Sequence, residues 1–303
     1  MRNNQLKPNS ITITYISKIS FASLNGADKD IDNVNPIKKI TLSNGQELPY
    51  VSSQAIRRAL RDKLEEMGWV ISEIIAPKDK KGAPYTSTDP EKYIDDDLFG
   101  YMVAKSGDEG AKGDSKTRTS PIRVEALVSL SKFQGDMDFG TNYMGKEKGI
   151  DPNIYETEIH SGFYRGTVLI ELDRIGCKEG FGNELSPDEK IKRVLALIDA
   201  LQNLWSSGRQ SRHLADISPK FIAAAYMKTK NPVFMEAACI TKENTVNIES
   251  LDSVEKDYGE FIQEHVFAEQ KAVINSGEKV SDLKNGFDKI KQWVNHYYKG
   301  ESK

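Results

Sequence analysis

The chain has 303 residues, 38 % hydrophobic and 29 % charged, with a net charge of −3; this suits a soluble globular protein of two small domains, or one domain with large insertions. No apolar run is long enough to span a bilayer, and Met1-Arg2-Asn3-Asn4-Gln5 lacks the apolar middle of a signal peptide, so no membrane partner is expected. The only cysteines, Cys177 and Cys239, lack metal-ligand spacing, which points to a reduced cytoplasmic setting with no metal and no cofactor.

The net charge on its face argues against a nucleic-acid partner, but its distribution matters more. Residues 243–270 carry eight acids against one lysine, a local −7, so the remaining chain carries +4 of the −3 total. A basic surface can therefore coexist with an acidic patch that docks a basic neighbour.

Ile11, Ile13, Tyr15, Ile19 and Phe21 alternate with Thr12, Thr14, Lys18 and Ser20, which predicts a strand with an apolar and a polar face. Ser23-Leu-Asn-Gly-Ala-Asp28 is a turn-rich exit, and Asn44-Gly45 marks a hairpin within Lys38–Tyr50. Val51–Leu64 then predicts an amphipathic helix capped by Ser52 or Ser53, with Ile56, Leu60, Leu64 and Met67 as its apolar stripe. Gln54, Arg57, Arg58 and Arg61 fall on a neighbouring face. Guanidinium forks beside a helix N-terminus favour phosphate. A solvated face whose arginines pair with acids is the open alternative.

From Trp69 to Ser120 the periodicity fails. Residues 78–82 and 105–118 read as loops rich in Gly, Lys and Asp, around an apolar island, Asp97–Val103, that returns to the core. Ile122, Val124, Ala126, Val128 and Leu130 follow a period of two, predicting one strand. Phe133–His160 shows neither periodicity, and a connection this long is usually functional or disordered. Phe163–Leu172 is the next strand. Ser186-Pro-Asp-Glu189 opens a helix with a capping box that runs through Trp205 to a stop at Gly208. Phe221–Met227 is a strand, and two helices, Val254–Ala268 and Val280–Tyr298, make a helical C-terminal region.

Without the two irregular stretches, the order is strand, helix, strand, strand, helix, strand. It predicts an α+β fold of ferredoxin-like or RRM-like type (βαββαβ), with both helices on one face of an antiparallel sheet. That fold hosts many functions. The aromatic RNA-recognition motif is missing from the third strand, where His160-Ser-Gly-Phe-Tyr-Arg-Gly166 is a poor copy, so stacking on sheet aromatics is not the expected mode.

Ser23–Asp28, Val51-Ser-Ser-Gln-Ala-Ile-Arg-Arg58, Asp97-Leu-Phe-Gly-Tyr-Met102, the strand Ile122–Leu130, Ser161-Gly-Phe-Tyr-Arg165 and Ser207-Gly-Arg-Gln-Ser-Arg212 occur in one order. Together they resemble the backbone subunit of type I CRISPR Cascade complexes, closest to the DevR-type autoregulator branch of type I-B systems, over residues 11–230. The resemblance implies a hand. Its palm would be 1–68, 120–132 and 161–240, its helical finger insertion 69–119 and its thumb 133–160, with 241–303 outside it. Copies would stack along crRNA, each thumb displacing one nucleotide and leaving the intervening bases free to pair with target DNA, beside other Cascade subunits.

Because guides differ in sequence, such a filament must hold backbone and ignore bases. The expected contacts are Ser52, Ser53, Gln54, Arg57, Arg58 and Arg61, with Lys18 and Ser20 unless these are an ordinary solvated strand face. Ser207, Gly208, Arg209, Gln210, Ser211 and Arg212 form a second phosphate site, compatible with a helix stop bearing exposed arginines. Met137 and Phe139 either wedge at the displaced nucleotide or pack the thumb itself. No catalytic residue is expected. An endoribonuclease alternative would have to draw its acid and base from His213, His160 and Asp28, although His160 reads as structural and Asp28 as a turn residue. A transcriptional regulator comes last, since no helix-turn-helix is evident.

Overall fold

The computed structural model describes residues 6–28, 33–76, 83–104, 115–149, 151–205 and 211–300. The first part of the chain gives β1 (Ser10–Ala22), β2 (Val34–Asn35), β3 (Lys39–Thr41), β4 (Glu47–Val51) and α1 (Ser53–Glu66). The insertion supplies β5 (Ile74–Ile75), β6 (Tyr85–Thr86), α2 (Ile94–Phe99), β7 (Tyr101–Ala104) and β8 (Ser115–Arg118). Then follow β9 (Ile122–Val124), β10 (Leu127–Ser129), β11 (Met137–Asn142), β12 (Asn153–Glu158), β13 (His160–Glu171), α3 (Pro187–Gln202) and β14 (Phe221–Met227). The chain ends with α4 (Ile248–Asp257), β15 (Ile262–Glu269), β16 (Ser281–Asp282) and α5 (Leu283–Lys299).

One mixed sheet dominates the α+β fold, in the order β16-β15-β14-β1-β13-β10-β4-β3, with β9 also on β13. The first half of β1, Ser10–Ile16, lies between β13 and β14, antiparallel to both. Strand β14 shows why no solvent face exists there: Ile222, Ala224 and Tyr226 enter one apolar cluster, and Phe221, Ala223, Ala225 and Met227 the other. The first cluster lies under α1, α2, α3 and α5; the second is closed by Phe234, Ala238, Leu251 of α4 and Phe267. Side chains alternate along a strand, so an apolar run with two covered faces buries every position. Helix α5 approaches closely because Gly286 has no side chain; a Cβ there would lie 2.4 Å from that of Ala268.

The amphipathic elements form where their caps stand. Ser52 accepts from the Ala55 amide to open α1, and Ser186 from Glu189 to open α3, with Pro187 in the first turn. The hairpin β3–β4 turns at Gly45, with φ of 79°.

Six expectations need correction. Met67 leaves the apolar stripe of α1: it is the C-cap and exposed, because the helix ends at Glu66. The strand expected over Ile122–Leu130 is two, β9 and β10, since the pairing to β13 slips by one residue between Val124–Val168 and Val128–Arg165. A one-residue slip exchanges faces, so Ile122 and Leu127 both reach the helix-side core, and Leu130 packs on the opposite cluster. Helix α3 stops at Asn203, and Trp205 instead bridges to Asp216; Gly208 lies outside the described residues. Among its described residues the insertion is not mainly helical, holding one six-residue helix and two short antiparallel ribbons. Residues 133–149 and 151–160, where the sequence shows no periodicity, hold the hairpin β11–β12 with β2 added in parallel. The C-terminal region is not all helical. After α4 closes at Tyr258, Ile262–Glu269 pairs antiparallel with β14. Its apolar residues fit both periods, and the exposed edge of β14 decides between them.

Candidate nucleic-acid interface

At one end of the sheet, segments distant in sequence converge. The Asn25 side chain, just past β1, accepts from the Ser52 amide at the start of α1 (2.9 Å). Ala22 stands opposite His160 in the β1–β13 ladder, and Phe133 donates to the Glu47 carbonyl. Phe21 packs edge-on against His213, 5.4 Å between ring centroids. Arg212 pairs with Asp138 of β11 and lies 4.9 Å from the Tyr155 ring of β12. The end of β1, the start of α1, the β11–β12 hairpin and residues 211–213 thus share one surface.

The predicted contacts divide into two groups there. Gln54 and Arg58 are exposed on the first turns of α1, with Arg58 in a solvent-exposed pair with Asp62 one turn on (2.6 Å). Lys18 and Ser20 are exposed at the end of β1, and Lys18 lies over the Phe163 ring. Met137 and Phe139 share the open face of β11; Phe139 is 62 % exposed, so neither fills the interior of the hairpin.

The other group is spent inside the protein. The Arg61 side chain, 20 % exposed, donates to the fully enclosed Asp95 carboxylate at 3.3 Å and lies over the Phe99 ring. Arg57 donates to the Phe99 carbonyl, and burial, then repulsion from Arg61, lowers its pKa. These two guanidiniums clamp α1 to the insertion. Ser52 is consumed as the cap, and the Ser53 hydroxyl donates to the Val124 carbonyl at 2.7 Å. Sequence periodicity put the four polar residues of α1 on one face; which part of that face the insertion covers is a tertiary fact. Of the second site, Ser207, Gly208, Arg209 and Gln210 lie outside the described residues, Ser211 is exposed, and Arg212 is engaged with the hairpin.

Phe21 was missed. Alternation placed it inward with Ile19, but a bulge between Ile19 and Ala22 turns it out, 51 % exposed beside Ser20. Its signal was the turn-rich sequence directly after it, which commonly accompanies a strand irregularity.

The insertion is pinned by buried ions. Asp97 accepts from Arg118 at 2.6 Å and Arg193 at 2.8 Å, and from the Gly176 amide at 3.1 Å. Arg118 also donates to the carbonyls of Asp97, Cys177, Glu179 and Arg174, at 2.7–3.0 Å. The residues considered for chemistry are poorly placed for it. His160 is buried, its Nδ1 is 2.7 Å from the Tyr164 hydroxyl, and burial lowers its pKa. His213 is buried between Phe21 and Asp138. Among the described residues no group of three or more His, Cys, Asp or Glu side chains is placed to hold a metal ion, and no helix is long and apolar enough to cross a membrane.

Residues 13–249 match the family model of the CRISPR-associated negative auto-regulator DevR/Csa2. The chain belongs to the DevR/Csa2 family. A Myxococcus xanthus relative, the CRISPR-associated protein Cas7/Cst2/DevR, is 30 % identical over 207 residues, which span 63 % of each chain. Two solved structures share the fold. One, from a CRISPR RNA-guided surveillance complex before nicking, has a TM-score of 0.61 at 14 % identity, covering 94 % of this chain and 100 % of its own. A second chain, from a CRISPR RNA-guided surveillance complex, gives 0.59 at 16 %, covering 93 % and 98 %. In this DevR/Csa2 chain the family match takes in the end of β1, the start of α1, the β11–β12 hairpin and residues 211–213, hence all four segments that converge at the interface.

Proposed function

We propose that the protein is a non-catalytic crRNA-binding backbone subunit of a type I CRISPR Cascade surveillance complex, polymerising along the guide and presenting it to target DNA. In this reading β1, α1, β9–β10, β13, α3 and β14 are a ferredoxin-like palm. The sheet order β14-β1-β13-β10, with α1 and α3 packed on one face, supports it. Residues 69–119 are the fingers, and the β11–β12 hairpin is the thumb, whose Met137 and Phe139 wedge where one nucleotide is displaced.

The observation that carries the proposal is the convergence of Lys18, Ser20, Phe21, Gln54 and Arg58 with the hairpin and Arg212 at one end of the sheet. Cations and amides at a helix start position a phosphate chain without reading bases, which a guide of changing sequence requires. Arg57 and Arg61 support this surface by holding the insertion against α1.

The test is binding of crRNAs with unrelated spacers to the protein and to Gln54→Glu/Arg58→Glu. Wild type should bind all guides alike. The variant should keep its melting temperature, lose about tenfold or more in affinity, and show a salt slope shallower by roughly one for the lost cation. Equal binding by the folded variant, or a strong preference among spacers, would sink the assignment.

A further inference from the structure

On the other side of the molecule, away from the helix-side core, a groove of about 600 Å³ runs between the turn at 231–237 and helix α4. Pro232, Val233, Met235 and Ala237 form one wall, and Val254 and Tyr258 the other, with Ser250 and Ser253 between. It adjoins a second cleft of about 540 Å³ across a ridge made by Pro232 and Met235. The apolar trough is therefore longer than one side chain can fill.

Its rim is acidic. Glu236 lines it, already paired with Arg165, and the unpaired acids stand on α4. On α4, Asp257 stands four residues after Ser253 and three after Val254, while Glu249 stands four before Ser253, so both carboxylates flank the groove-facing line. Among the described residues, Glu249, Asp252, Asp257 and Glu260 enter no ion pair. Of the acids in 243–270, Glu264 is paired with Lys289 on the α5 side and Glu269 is buried, so the uncompensated negative charge is mainly that of Glu249, Asp252, Asp257 and Glu260. Such a field repels phosphodiesters and attracts cations, while an exposed apolar trough with a polar rim marks a docking site. Apolar contact and positive charge together describe an amphipathic basic segment, lying with anchors at i, i+3, i+4 and i+7.

We propose that this groove docks a cationic amphipathic segment of a second, different protein, and that the acidic lobe is a recruitment surface separate from the RNA-binding end. The full-length protein would be titrated, without RNA and at physiological salt, into a labelled Leu/Lys amphipathic peptide of roughly 18 residues and into a scrambled peptide of the same composition. Fluorescence anisotropy should show the amphipathic peptide binding about tenfold or more tighter than the scrambled one. Ser253→Trp, which fills the groove from an exposed position, and Glu249→Lys/Asp257→Lys should each weaken it by about tenfold, with guide loading and melting temperature unchanged. Equal affinity for the two peptides would reduce the lobe to general charge attraction and overturn the proposal. So would full binding by Ser253→Trp, or self-association of the protein that Ser253→Trp abolishes, which would give the groove to another copy. Because peptide binding is read without RNA, these outcomes do not depend on the guide-binding reading.

Discussion

Arg118→Met should be the most damaging single substitution in the insertion. The guanidinium is fully enclosed and makes five hydrogen bonds, one to the Asp97 carboxylate and four to main-chain carbonyls. Methionine replaces the stem but none of the donors. Breaking a buried ion pair costs about 3–5 kcal/mol, and the four orphaned carbonyls push the loss toward the upper end. Asp97 keeps Arg193 and the Gly176 amide, which holds the total near 4–5 kcal/mol. At roughly 1.5–2 °C per kcal/mol for a chain of this size, the melting temperature should fall by about 6–10 °C. Limited proteolysis should then cut first within residues 69–119, because Arg118 ties β8 to α2 and to the Cys177–Glu179 turn. Arg118→Lys, which keeps charge without the fork, should fall between. A loss below about 1 kcal/mol, or cleavage unchanged in position, would refute the pinning role.

Gly286→Ala adds helix propensity worth up to about 1 kcal/mol, yet its Cβ would collide with Ala268. Overpacking at about 1–3 kcal/mol should win, and denaturant unfolding would show a net loss. Ser53→Ala strands the Val124 carbonyl and should cost roughly 1 kcal/mol while leaving guide affinity unchanged; weakened affinity in the intact protein would restore Ser53 to the RNA surface. His160 is held neutral by burial, its pKa lowered below the usual 6.5. Its contribution is complete above that unfolded value and is lost as the pH falls toward the folded one, where the unfolded chain takes up the proton first. Melts of His160→Gln should therefore be flatter than wild type as the pH drops from about 7 through 6, and parallel curves would contradict the buried neutral imidazole.

The elements with a cap or a two-sided apolar run were legible from the sequence. Ser52 and Ser186 set the starts of α1 and α3, Asn44-Gly45 the hairpin turn, and the run Phe221–Met227 its strand. What could not be read were choices made by distant partners. Ile262–Glu269 carries a pattern both periods accept, and the free edge of β14 selects the strand. The hairpin escaped notice because Met137, Phe139 and Ile154 face outward, so no inward alternation marks it. At the interface, the sequence exposed the residue types on α1 but not the buried Asp95 that claims Arg61. An acidic run, Asp95-Asp96-Asp97, looks like surface until three arginines and several amides are found around it.

Strand β1 has a consequence for how the protein is made. Ribosomes deliver about 5–20 residues per second, whereas Ser10–Ile16 finds its two neighbours only in residues 165–171 and 221–227. For roughly 10–45 s of synthesis, therefore, the future centre of the sheet emerges with no partner on at least one edge. The nascent chain must pass that interval unfinished, and a product halted before Phe221 would keep a bare, sticky margin along its central strand.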